Sequence, residues 1–96
     1  MQFAEISKQL QTLTKQTNIE QSLQILLPEY LKLRIFFLKS QIAQYELKWG
    51  MNYEEFEKES VNMPDGFTEG IEKEYYEWGE KTALLQLLQQ YLKEWN

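Results

Sequence analysis

Leu31, Ile35, Leu38, Ile42, Tyr45 and Trp49 recur at alternating steps of four and three. That rhythm lays all of them along one side of a helix, as in the seam of a coiled coil or small bundle. It predicts a long helix over 29–49. Gly50 is a natural stop, because glycine enters the left-handed conformation without a Cβ penalty. Asn52 then predicts a cap for a short helix over 53–59, with Glu54 and Glu55 at the end where the helix dipole favours carboxylates.

The long helix carries more apolar surface than one seam requires. Leu33, Phe36 and Phe37 flank the stripe on both sides. A helix that is apolar over more than half its girth must touch neighbours on two sides. Within the chain those neighbours are an N-terminal and a C-terminal helix, and oligomerisation would supply another. Phe3, Ile6, Leu10 and Leu13 predict an amphipathic helix from residue 2 to about 14. Asn18, with Gln21 three residues on, predicts the cap of a second segment holding Leu23, Leu26 and Leu27. Pro28 is placed at the first turn of the long helix, where its missing N–H is no loss.

Residues 60–70, with Pro64-Asp65-Gly66, read as a loop. A final helix over 71–95 follows, acidic and aromatic in its first half (Glu72, Glu74, Tyr75, Tyr76, Glu77, Trp78, Glu80). Its second half offers Leu84, Leu87, Leu88, Tyr91 and Trp95 for a core. Gly79 interrupts this helix at a cost of roughly 1 kcal/mol against alanine and marks a close approach by another backbone. The fold class is therefore all-α: one helical domain over 1–96, with segments 1–27, 28–59, 60–70 and 71–95. Its long central and C-terminal helices pack antiparallel as a small bundle beside the N-terminal helix.

Composition narrows the chemistry. The 96 residues include no cysteine and no histidine. Disulfides, zinc–thiolate sites, thiol nucleophiles and Ser-His arrangements are excluded together. The longest apolar run, Ile35 to Leu38, is far below the ~20 residues of a membrane span. No basic-then-apolar leader opens the sequence, so a cytoplasmic protein is expected. Charge is uneven. Residues 1–50 hold six Lys/Arg against four Glu, and residues 51–96 hold four Lys against eleven Asp/Glu. An acidic half of that strength repels nucleic acid and favours a basic partner surface. Lys and Arg do not cluster, and no nucleic-acid motif is present, so direct DNA or RNA binding by this chain alone is not expected.

Catalysis would have to rest on carboxylates, tyrosines and lysines. Glu54 with Glu57, and Glu74 with Glu77, each share one helical face, and two such pairs could hold magnesium for attack on a nucleotide pyrophosphate. All-α pyrophosphohydrolases use Glu-Glu-x-x-Glu followed by Glu-x-x-Asp. Here the third acid of the first set falls at Lys58 and the second set ends in Glu77. No phosphate-binding basic cluster lies beside either pair, which leaves this the alternative reading, with a scaffold or interaction domain of other purpose as another.

The string Lys48-Trp49-Gly50-Met51-Asn52-Tyr53-Glu54-Glu55-Phe56-Glu57, followed by Tyr75-Tyr76-Glu77-Trp78, resembles the C-terminal pattern of small type II antitoxins of archaea and cyanobacteria. It covers about residues 45–80. The resemblance implies a non-enzymatic protein without cofactor or metal. Such a protein neutralises a cognate toxin, commonly a ribonuclease, by covering its basic surface with an acidic aromatic helix. Independently, the surplus apolar girth of the long helix predicts a homo-oligomer or hetero-complex. The partner-binding residues the resemblance points to are Trp49, Tyr53, Glu54, Glu55, Glu74, Tyr76, Glu77, Trp78 and Glu80. Gly79 stands where that pattern usually has another acid, and the first forty residues lie outside the match.

Overall fold

In the computed structural model, which describes residues 1–60 and 69–95, four helices account for nearly the whole described chain. They are α1 (Phe3–Thr14), α2 (Ile19–Trp49), α3 (Tyr53–Ser60) and α4 (Glu69–Lys93). The all-α bundle is as the periodicities require. Helix α2 is the spine, and α4 packs along it antiparallel. Near one end Lys48 meets Glu74 and Tyr45 meets Trp78. Towards the other, Leu31 shares a groove with Leu88 and Tyr91. Helix α1 packs on α2, and α3 packs on α4.

Two boundaries differ from expectation. The segment capped by Asn18 and the helix over 29–49 are one continuous helix, with Pro28 in its interior rather than at its start. A proline there removes one backbone hydrogen bond, the one the Gln24 carbonyl would accept. Gln24 is exposed, so water can take that place. The Asn18 cap persuades the chain into helix ten residues early: its Oδ1 accepts the Gln21 N–H at 2.8 Å. Helix α4 begins at Glu69 and α3 runs on to Ser60, so both ends of the segment expected to be a loop, Ser60 and Glu69–Gly70, are helical. The Pro64-Asp65-Gly66 turn lies outside the described residues.

The turn between α1 and α2 is held by polar groups. Lys15 adopts a left-handed conformation, φ 58°, ψ 30°. The hydroxyls of Thr14 and Ser22 hydrogen-bond at 2.8 Å, and Ser22 is fully buried. Gly50 ends α2 in the left-handed region at φ 68°, its N–H donating to the Glu46 carbonyl at 2.8 Å. Asn52 and Glu55 then form a reciprocal capping box: Asn52 Oδ1 accepts the Glu55 N–H at 2.8 Å, and Glu55 Oε1 accepts the Asn52 N–H at 3.3 Å.

The core is thin. Among the described residues only Leu31, Ile35, Leu38, Phe56 and Trp78 are buried apolar side chains. The first three lie on the expected α2 stripe. The C-terminal half of α4 contributes less than its spacing suggests, since Leu87, Tyr91 and Trp95 each keep about two-fifths of their surface in solvent.

Candidate functional site: an acidic helix braced by an aromatic cluster

The end of α2, all of α3 and the first half of α4 converge on a cluster of rings. Trp78 lies at its centre with no exposed surface. Tyr45 stacks on it at 5.4 Å between centroids with the planes 12° apart. Phe56 packs at 5.1 Å and Tyr53 meets it edge-on at 5.6 Å. Trp49 extends the cluster through Phe56 at 4.9 Å. Tyr75 closes it against Tyr53 at 5.6 Å.

Gly79 is explained by this cluster. A Cβ there would lie 2.5 Å from Tyr53 Oη and 3.0 Å from its Cζ, so the close approach is made by the Tyr53 ring and not by a second backbone. The indole N–H groups of Trp49 and Trp78 are buried without a hydrogen-bond acceptor. An orphaned N–H costs about 1–3 kcal/mol. Burying a ring of 150–250 Å² contributes about 4–6 kcal/mol, so ring packing wins at both positions.

A polar belt ties the cluster's rim to the neighbouring helices. Tyr45 Oη donates to Glu77 at 3.1 Å, Lys48 Nζ donates to Glu74 at 2.7 Å, and Tyr75 Oη donates to Glu57 at 3.0 Å. Burial, reinforced by the neighbouring Tyr75 hydroxyl and the Glu57 carboxylate, pushes the Tyr53 phenol well above the ordinary tyrosine range. Tyr45 is raised too, first by burial and then by Glu77.

The nine residues singled out for partner binding divide into three groups. Trp78 faces inward with no surface to present, and Trp49 and Tyr53 are part of the same packed cluster. The expectation that Trp78 anchors a partner is therefore corrected: in this fold it holds α4 onto α2 and α3. Truncating it would remove about 3–5 kcal/mol of core packing. Glu74 and Glu77 are pinned to α2 through Lys48 and Tyr45. Glu54, Glu55, Tyr76 and Glu80 point to solvent. Tyr76 keeps 58% of its surface exposed.

Glu72, which the motif did not single out, is exposed as well. It lies four residues before Tyr76, as Glu80 lies four after, so the three share one outward face of α4. The i±4 spacing around Tyr76 is the signal that could have found it. Among the described residues no group of three or more carboxylates is placed to hold a metal ion. Of the two Glu pairs considered for magnesium, three members, Glu57, Glu74 and Glu77, have protein donors instead. No helix among the described residues is long and apolar enough to cross a membrane.

The chain matches no protein-family model, no curated protein and no solved structure.

Proposed function

We propose that this chain is a cytoplasmic, non-enzymatic antitoxin that covers the basic surface of a cognate toxin, such as a ribonuclease, with the outward acidic face of α3 and α4. The observation that carries this reading is Tyr76, exposed between Glu72 and Glu80 on a helix whose opposite face is locked by the ring cluster. A rigid helix presenting one aromatic side chain amid carboxylates suits a groove shaped for RNA. The ring fills a depression, and the carboxylates steer and orient. Glu54 and Glu55 extend the same negative field from the first turn of α3. The resemblance around residues 45–80 supports the same reading. In it Trp49, Tyr53 and Trp78 brace the helix, while Glu54, Glu55, Tyr76 and Glu80, with Glu72 added, make the contact.

The test is capture and neutralisation of the protein encoded beside this gene. Tyr76→Ala combined with Glu72→Lys and Glu80→Lys alters only exposed positions and is expected to leave the helical circular dichroism unchanged. It is expected to weaken binding of the adjacent product by about a hundredfold, as loss of one aromatic anchor and two attractive charges implies. Neutralisation at wild-type level by that triple variant would remove the reading.

A further inference from the structure

Helix α2 carries a second apolar seam, half-buried at Ile19 and Leu26 and otherwise left open by the described residues. Ile19, Leu23, Leu26, Tyr30, Leu33 and Phe37 follow one another at steps of four, three, four, three and four. This is the heptad spacing of a coiled coil, offset by roughly a third of a turn from the seam under α4. Leu23, Tyr30, Leu33 and Phe37 each keep half or more of their surface exposed. The seam runs beside an apolar groove of about 550 Å³ lined by Leu27, Tyr30, Leu31, Leu88, Tyr91 and Trp95. Phe3 and Leu13 of α1, likewise exposed, add to the uncovered apolar surface.

We infer that a second copy of this chain occupies the seam, with the two α2 helices parallel and in register. Two observations select that occupant. The first is area. The chain exposes 7458 Å², whereas a compact monomer of this mass exposes about 5,800 Å². The surplus, roughly 1,600 Å² per chain, is what an obligate homodimer buries on each partner.

The second is charge. With Tyr30 and Phe37 at the first core position of the heptad, Glu29 precedes the core on one flank and Arg34 follows it on the other, five residues on. In a parallel pair that spacing brings Glu29 of each copy to Arg34 of the other, twice by symmetry. An antiparallel pair centred on Tyr30 sets Glu29 against Glu29. Among the described residues Glu29 meets only the exposed Lys32, at 3.4 Å. That leaves it able to exchange partners.

The absence of cysteine makes the test clean. In the full chain, Phe37→Cys is expected to form a disulfide-linked dimer on mild oxidation, because a parallel seam sets equivalent core positions side by side. Lys39→Cys, exposed and two residues from Phe37 on the opposite side of α2, is expected to stay monomeric on denaturing gels. Sedimentation equilibrium of the wild-type chain is expected to give a dimer. Arg34→Glu is expected to weaken it by roughly two- to tenfold, with recovery in Glu29→Arg/Arg34→Glu. A wild-type mass of 11.6 kDa at every concentration would assign the seam to a different protein and overturn the inference. So would a dimer that Phe37→Cys fails to link, or that Lys39→Cys links equally well.

Discussion

At the scale of single residues, Gly79 and Tyr53 act as one unit. Elsewhere in a helix a glycine-to-alanine change gains about 1 kcal/mol. At Gly79 the added methyl meets the Tyr53 hydroxyl at 2.5 Å and its ring at 3.0 Å, inside a cluster whose other rings leave Tyr53 little room to retreat. Gly79→Ala is therefore expected to destabilise by about 1–3 kcal/mol in urea unfolding. In a Tyr53→Phe background, which removes the oxygen nearest the new methyl, the cost should be visibly smaller. Strict additivity would show that the two side chains do not meet.

The same tyrosine sets an alkaline limit. Its phenol, like that of Tyr45, titrates above the unfolded value of 10.0, so the folded state holds its protons more tightly than the unfolded chain. That contribution is complete below pH 10 and is lost as pH rises through the folded values. Urea midpoints are expected to fall between pH 9 and pH 11, and to fall less in Tyr53→Phe. An equal fall in both proteins would place the alkaline sensitivity elsewhere. Both hydroxyls were visible in the sequence. Their burial was not, because it depends on α3 folding back across α4.

At the scale of elements, local chemistry decided where helices begin and the rest of the chain decided how far they run. Asn18, Gly50 and Asn52 each act as their residue type predicts, in a cap, a left-handed stop and a capping box. Pro28 does not stop the helix. Leu31, Ile35 and Leu38 directly beyond it are buried, and a continuous α2 keeps both sides of the proline packed on shared neighbours. Packing of that extent outweighs the ~3 kcal/mol interior cost of proline. Pro28→Ala is expected to raise stability by about 1–3 kcal/mol without changing helix content, the upper value being reduced by greater freedom in the unfolded chain. Lower stability in that variant would mean that the proline ring itself is needed where it packs.

At the scale of the whole molecule, the protein is a rod. Its dimensions are 61 × 31 × 17 Å and its radius of gyration is 19.2 Å, against about 12–13 Å for a compact chain of this length. A rod encloses little, which is why so few side chains are buried and so many large apolar ones are not. In the dimer proposed above, part of the stability of such a body comes from association. The thermal midpoint is therefore expected to rise with protein concentration, by several degrees over a hundredfold range. A midpoint independent of concentration would mean that the thin core suffices alone. The excess apolar girth of α2 was legible in the sequence. Which part of it stays open was not, since α1 and α4 had first to take their places.

The sequence by itself determined that the chain is helical, where the caps fall, which stripe of α2 faces α4, and that its acids gather in the second half. All of these follow from spacing and from interactions within a few residues. Only the tertiary structure decided that Trp78 is a buried brace and Tyr76 is the ring left exposed. These two side chains stand two residues apart on one helix and have similar composition around them. What separates them is the direction each takes relative to α2 and α3, and that direction is fixed by contacts some thirty residues distant in the chain.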